Sequence, residues 1–362
     1  MRILMVAHSD APWTPRYARH FVACGDDLLV ATFHPDKIEG VNTEFIGVEP
    51  FDQYKNKHVF FTRVPHIRRI IKNFKPDIVY APYLASNGLS ATLAWKGPMV
   101  VAARGGDVLE QAGRTGLRKR IRQMIIQYVC KRSVMVHVVS QGLENALVEL
   151  GVPKSKIFQL AVGVDSGTFY PAEEMPRPQA TRLVCVRKHE PIYDIPTVIE
   201  SLAILKAQGV EFFCTFGGGG SLLERHKQVA SEAGLDDCVD FTGHLPHEKL
   251  PDLLRQADIY ISATLSDGTS SALLEGMATG LTPVVSRIPA NVPWIVHGEN
   301  GLLFECGDAK GLAEMLRKAM DDIELRKRLL EFNREKINRE ADMKQNNDRL
   351  RQYLKQAANR NS

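Results

Sequence analysis

No apolar run in the 362-residue sequence approaches the roughly 20 residues that a membrane-spanning helix needs. The opening MRILMVA is too short for the apolar core of a signal peptide and has no small-residue cleavage site. His8, Ser9 and Asp10 follow at once, so the segment reads as a buried first strand. Paired cysteines are missing too. Cys24, Cys130, Cys185, Cys214, Cys238 and Cys306 are scattered, and none forms a CxxC. That excludes a paired-cysteine zinc site and points to a reducing, cytoplasmic compartment. Short-period repeats and low-complexity tracts are absent. Net charge is low, +4, but unevenly spread: residues 1–171 hold 22 Lys/Arg against 14 Asp/Glu, and the remainder 24 against 28. The basic first part suits an anionic partner, such as a membrane surface or a phosphorylated acceptor, and no nucleic-acid partner is expected.

What the sequence does contain is alternation. RILMVA, LLVATF, DIVYAPY, PMVVAAR and VMVHVVS are strand candidates in the first part, and TRLVCVR, EFFCTFG, CVDFTG, IYISATL and TPVVSR in the second. Continuous Val/Ile-rich runs suit parallel strands buried on both faces. Helical patterns lie between them. In IPTVIESLAILKAQG, Ile195, Val198, Ile199, Leu202 and Leu205 recur at helical spacing, and Gly209 marks the stop. The fold class is therefore α/β with doubly wound parallel sheets. YPAEEMPRPQATR, rich in proline and charge, marks an interdomain linker. We place domains at 1–171 and 183–335, the linker at 172–182, and a helical tail at 336–362.

The most informative stretch is SDGTSSALLEGMATG, residues 266–280. It follows a strand and opens a helix, and open α/β sheets bind ligands beyond the carboxyl ends of their strands. A helix N-terminus there offers unpaired N–H groups to an anion. Gly268 permits close backbone approach, while Thr269, Ser270 and Ser271 can cap the helix and donate to phosphate oxygens. Glu275, one turn in, suits the two hydroxyls of a ribose, and Asp267 suits sugar hydroxyls beyond the phosphates. An ordinary helix capped by Asp267 or Ser266 would use similar letters.

Acid-x7-acid on a strand–loop–helix, followed by GMATGLTPVVS and IVHGENGLLFECGD, resembles the C-terminal domain of the family 4 retaining glycosyltransferases. The long segment from FGGGG to DIYIS, and VSQGLENALVELGVPKSKIFQLAVGVDSGTFYP before it, fit the same family in order and spacing. The resemblance covers nearly the whole chain. It implies a GT-B fold, two Rossmann-like domains facing across a cleft. It also implies that Arg187 pairs with the pyrophosphate, Glu275 holds the ribose, Thr269 to Ser271 hold the distal phosphate, and Asp267 holds the donor sugar. Gly217, Gly218 and Gly219 would lie near the nucleotide, and His244 and Leu245 near the base. The third glycine of GxGxxG is lacking, which disfavours a dinucleotide.

Departures from the pattern are as telling. The first acid is usually Glu and here is Asp267. The lysine expected a few residues after Arg187 is replaced by Ile192 or Tyr193, leaving Lys188 as a substitute cation. This variant resembles a branch found among bacterial surface-polysaccharide enzymes. In the first half, AHSDAPWTPRYARHF stands where a glycine-rich turn is usual, so Asp10, Thr14 and Arg16 would line the acceptor side; Asp10 or Thr14 would equally serve as a helix cap. A cleft histidine is missing. AARGGDVLE offers Arg104 and Asp107 instead, with Asp107 beside the anomeric carbon or, alternatively, capping a helix. No DxD-like pair stands near, so metal independence and no cofactor are expected.

The resemblance implies retaining transfer of a sugar from a nucleotide diphosphate donor, for instance a UDP-sugar, to a glycan or lipid-linked acceptor. A catalytically silent GT-B scaffold and a nucleotide-sugar 2-epimerase are the alternatives. Two basic helical patterns, RVPHIRRIIKNFKPD and GRTGLRKRIRQMIIQYVCKR, carry apolar stripes beside cations. They imply peripheral contact with the inner face of an anionic membrane, although such stripes ordinarily go to the core.

Overall fold

Strand β1 (Arg2–Ala7) is enclosed from Ile3 onward, with Leu4 and Val6 in one apolar cluster and Ile3 and Met5 in another. Successive residues of a strand face opposite sides, so both faces of this sheet are covered. The computed structural model describes residues 1–48, 58–108, 116–173 and 181–360. The chain divides into two units, Met1–Val162 with Lys344–Ser362, and Gly163–Met343. Of the expected linker at 172–182, residues 174–180 lie outside the described residues.

In unit 1, β1 is joined by β2 (Asp27–Thr32), β3 (Asn42–Phe45), β4 (Ile78–Pro82), β5 (Met99–Ala103), β6 (Met135–Val138) and β7 (Ile157–Gln159). All pairings are parallel, in the order β3-β2-β1-β4-β5-β6-β7. Unit 2 repeats the plan with β8 (Thr181–Val186), β9 (Phe212–Gly217), β10 (Val239–Gly243), β11 (Ile259–Ser262), β12 (Thr282–Ser286) and β13 (Leu302–Phe304). Its order is β10-β9-β8-β11-β12-β13, again parallel. Each sheet reverses its winding beside its first strand, between β1 and β4 and between β8 and β11. A crevice at the strand ends follows from that reversal, and ligands of doubly wound sheets bind there. All six cysteines are free. Burial pushes the Cys130 and Cys185 thiols up to about 12, so both act as small core hydrophobes. Among the described residues, no helix is long and apolar enough to cross a membrane.

The last helix, Met343–Asn359, belongs to unit 1. Leu350, Leu354 and Ala357 enter the same cluster as Ile3, Met5 and Phe21, and Tyr353 stacks on Phe158. A partly buried ion pair fixes it: Arg351 donates to both oxygens of Asp26, with Nη2–Oδ1 at 2.9 Å. Burial alone would raise the Asp26 pKa, but the Arg351 guanidinium and the Met1 ammonium, 3.2 Å from Oδ1, together outweigh it and hold the carboxyl below its ordinary value. A depressed folded pKa stabilises fully above the unfolded value, ~3.9, and that stabilisation is lost as pH falls through the folded value. Asp26→Asn should therefore cost about 1–2 kcal/mol at neutral pH, less than for a fully buried pair because Arg351 is partly exposed, and flatten the acid limb of a stability–pH curve. Urea titrations at several pH values read both effects; an unchanged midpoint at pH 7 would mean the pair contributes nothing.

Candidate functional site

Helix Ser271–Ala278 starts at a true side-chain cap. Ser270 Oγ accepts from the Leu273 N–H at 3.1 Å, so Ser270, and neither Ser266 nor Asp267, is the N-cap. The N–H groups of the first turn point from there to the end of β11. Across the β8/β11 crevice, Arg187 leaves β8 and is held from three directions. Its Nε donates to Ser262 Oγ at 3.1 Å, its Nη2 to Ser270 Oγ, and its Nη1 lies 3.4 Å from Asp267 Oδ2. Tyr193 lies beside it, with the guanidinium 5.6 Å from its ring centre. The second Asp267 oxygen accepts from the Gly268 N–H at 2.7 Å. Thr269 Oγ1 donates to the Gly268 carbonyl. A guanidinium pinned in this way presents its fork in a fixed plane, which suits phosphate oxygens.

The glycine run at the end of β9 lies against the turn that follows Arg187. A Cβ at Gly218 would stand 2.3 Å from the Arg187 carbonyl oxygen, and one at Gly220 2.5 Å from that of His189. Both have backbone conformations that side chains rarely adopt, φ +144° and +154°. Only glycine fits this approach. Beneath the turn, His189 Nδ1 meets His226 Nδ1 at 2.8 Å. Burial, then the His226 neighbour, lowers the His189 pKa to about 4, so the pair is neutral at pH 7 and one ring donates to the other. Arg187, exposed Lys188, Gly217, Gly218, Gly219, His244 and Leu245 all line one cavity of about 480 Å³. His247 lines it as well and reaches buried Glu275, Nε2 to Oε1 at 3.3 Å. Of the donor-side residues expected from sequence, Arg187, Lys188, Gly217, Gly218, Gly219, His244 and Leu245 line this cavity, Asp267 to Ser271 and Glu275 lie on the cap helix and its loop, and Tyr193 flanks Arg187. Ser262, His247, Glu190 and the His189–His226 pair were not expected. Glu190 takes the Ser221 N–H and hydroxyl, both at 2.8 Å, and so closes the glycine turn.

In unit 1, Arg104 follows β5 and donates to Tyr17 and Tyr80 hydroxyls at 3.2 and 2.8 Å. Behind it runs a chain whose proton order is fixed by chemistry. His137 Nε2 faces the Leu160 carbonyl at 2.9 Å, which can only accept, so Nε2 carries the hydrogen. Nδ1 then accepts from Tyr80 at 3.0 Å. Burial, then the Arg104 charge, lowers the His137 pKa to about 3, which keeps the ring neutral. Arg104 also faces the rings of Trp13 and Tyr17, at 5.4 and 5.2 Å. Asp107 is buried, and its oxygens accept the N–H groups of Leu84, Arg104 and Gly105, each at 3.0 Å. Burial raises its pKa against the pull of those amides. The carboxylate thus ties the turn after β4 to the turn after β5. Helix Trp13–Ala23 begins after Pro12 with no side-chain cap, so neither Asp10 nor Thr14 serves as one. Asp10 is exposed, Arg16 half-buried, and Thr14 fully buried. Thr14 Oγ1, Trp13 Nε1 and Arg104 Nε are buried without a hydrogen-bond partner among the described residues. Buried polar atoms are ordinarily satisfied, so these three stand out beside the Arg104 cluster.

Both units have counterparts among known proteins. Residues 171–336 match the family model of glycosyl transferases group 1, and residues 16–167 that of glycosyltransferase family 4. The amylovoran biosynthesis glycosyltransferase AmsK of Erwinia amylovora is 30% identical over 257 residues, 68% of this chain and 61% of the relative. The lipopolysaccharide core biosynthesis glycosyltransferase LpsE of Rhizobium meliloti is 32% identical over 142 residues, 39% of this chain and 40% of the relative. The chain thus spans under two thirds of the length of these relatives. Among solved structures, Anabaena Alr3699/HepE in complex with UDP superposes with a TM-score of 0.82 at 15% identity, covering 98% of this chain and 100% of that one. A glycosyltransferase from Rickettsia africae gives 0.81 at 16%, covering 99% and 98%. At such identities the likeness speaks for the fold, which is GT-B. With both units matched in order along the chain, the protein belongs to the family 4 glycosyltransferases, glycosyl transferases group 1.

Proposed function

We propose that the chain transfers a sugar, with retention of anomeric configuration, from a nucleoside diphosphate donor to a hydroxyl of a glycan or lipid-linked acceptor in bacterial surface-polysaccharide assembly. The observation that carries this is the Arg187 fork, pinned by Ser262, Ser270 and Asp267 at the N-cap of a helix whose next turn supplies buried Glu275. Anion site and diol acceptor stand in the order that phosphate and ribose require. A UDP-sugar is the favoured donor, because the Anabaena relative was solved with UDP and with UDP-glucose.

Each residue has a physical task. The diphosphate takes Arg187 Nη1 from Asp267, and the carboxylate thereby becomes available to the sugar hydroxyls. Ser270 Oγ already accepts from Arg187 and Leu273, so its own hydrogen points outward as a donor. Glu275 accepts from the ribose, with His247 holding one of its oxygens. As the bond from the anomeric carbon to the diphosphate oxygen breaks, negative charge grows on the leaving group. Arg187 and the first-turn N–H groups are already aimed there, and such preorganised charge is a large catalytic term. The acceptor hydroxyl attacks from the same face and gives its proton to the departing phosphate. Asp10, Thr14, Arg16 and Arg104 are the acceptor-side candidates. No metal is assigned a part, and full activity in excess EDTA is the expected outcome; loss of activity restored by a divalent cation would overturn that.

The test is a thermal-shift screen of UDP, GDP, ADP, TDP and CMP on wild type and Glu275→Ala, followed by product analysis. UDP should stabilise wild type by several degrees, and the variant should need on the order of 10- to 100-fold more nucleotide, as expected for losing charge-assisted hydrogen bonds. A folded wild type that responds to no nucleotide would replace this reading with that of a catalytically silent scaffold. An inverted anomer in the product would overturn retention.

A further inference from the structure

The sequence offers two basic helices on equal terms, and the structure separates them. Helix Val64–Phe74 turns Val64, Ile67 and Ile70 into the core of unit 1. Helix Leu117–Arg132 buries Ile126, Val129 and Cys130 on one face and leaves a second apolar line outside. Leu117 is 72% exposed, Ile121 48%, Met124 67% and Tyr128 45%. Steps of four, three and four residues place these side chains on one stripe, opposite the buried face. Single apolar residues on a surface need no explanation, whereas four aligned on one helix form a patch.

The charge around the stripe narrows what covers it. The helix carries Arg118, Lys119, Arg120, Arg122, Lys131 and Arg132 and no acidic residue. Arg122 turns inward to the carbonyls of Asp107 and Gly106, both at 3.2 Å. Arg118, Arg120, Lys131 and Arg132 are exposed and flank the stripe. We propose that this face docks on an anionic lipid bilayer. The helix lies in the plane of the interface, with Leu117, Ile121, Met124 and Tyr128 entering the acyl boundary and the four cations at the level of the lipid phosphates. A second copy of the same face would set cation against cation with no carboxylate on the helix to neutralise them. Anionic headgroups supply that counter-charge, and tyrosine is at home at such a boundary.

Flotation of the full chain with phosphatidylcholine–phosphatidylglycerol vesicles, against phosphatidylcholine alone, tests this without any donor turnover. Binding should appear with the anionic vesicles and weaken with salt. Arg118→Gln with Lys131→Gln should lower partition roughly fivefold per cation removed. Ile121→Gln with Met124→Gln should lower it on the order of tenfold or more. Arg68→Gln with Lys72→Gln, on the other basic helix, should leave it unchanged. All three pairs are surface substitutions, and circular dichroism reads whether each remains folded. Absence of anionic binding, or equal binding by the Ile121/Met124 variant, would overturn the proposal. So would a dimer in sedimentation that the same variant dissociates in the absence of lipid binding, which would assign the face to a second copy.

Discussion

Replacing Arg187 by alanine is expected to lower kcat/KM on the order of 10³-fold while leaving a folded protein. The guanidinium is the meeting point of three groups from three segments: Ser262 at the end of β11, Ser270 at the helix cap, and Asp267 in the loop between them. In the proposed mechanism, removing it takes away the positive charge that would face the leaving diphosphate, and it leaves Asp267 as an uncompensated negative charge in the same crevice. Both changes oppose the build-up of phosphate charge. Lysine is a poor substitute, because an ammonium is a point charge without a planar fork. Arg187→Lys should recover much of the nucleotide affinity and little of kcat. The helix cap survives in either variant, since Ser270 still accepts from Leu273. Steady-state kinetics on both variants, with circular dichroism to show an intact fold, settle the matter. An Arg187→Ala enzyme retaining more than about a tenth of wild-type kcat would remove Arg187 from the reaction.

Gly218→Ala should be nearly as damaging through geometry alone. Its φ of +144° is outside the range side chains favour, and the added Cβ would stand 2.3 Å from the Arg187 carbonyl oxygen. Strain of this kind costs of order 1–3 kcal/mol where the backbone cannot yield. Here the yielding partner is the turn that carries Arg187 and Lys188, so relief of the clash displaces the phosphate-facing groups. A shift near 1 Å commonly costs on the order of 10²-fold in rate. We expect a Tm lower by about 5 °C and a UDP affinity weaker by one to two orders of magnitude. Gly209, whose added Cβ would meet nothing, is the control: it also has positive φ but lies at a helix end with no site beside it. Gly209→Ala should lower Tm and leave UDP binding intact. Calorimetry showing unchanged UDP affinity in Gly218→Ala would mean that the glycine run serves only the fold.

Much of the fold was legible because parallel strands buried on both faces must be continuous apolar runs. RILMVA and TRLVCVR correspond to β1 and β8, and the other eight expected runs to β2, β4, β5, β6 and β9 to β12. The strands not foreseen, β3, β7 and β13, are sheet edges of three or four residues. An edge strand needs only one partner, so a segment as polar as Asn42–Phe45 can pair with β2 while carrying almost no apolar signal. The site divides along the same line. Asp267, Ser270 and Glu275 lie on one loop and helix, and their spacing announced them. Ser262 reaches Arg187 from 75 residues away, His226 reaches His189 from 37, and His247 reaches Glu275 from 28. No local pattern encodes such meetings; they follow from strand order. Asp107 could be placed at the end of β5, but its three amide partners could not, because they come from two turns that only the sheet brings together. The two basic helices are a further case, since periodicity measures how apolar a face is and not which face the core takes.

The division of the chain sets an order of assembly. Unit 2 is one continuous stretch, Gly163–Met343, whereas unit 1 takes its core from both sides of it. Emerging from a ribosome, unit 2 has all of its residues before Leu350, Leu354 and Ala357 exist to close against Ile3, Met5 and Phe21. Domains commonly fold during synthesis from the N-terminal end. Here the later-encoded half is complete first, and the earlier one waits with an open apolar face until the final helix arrives, a period in which chaperone contact with that face is to be expected.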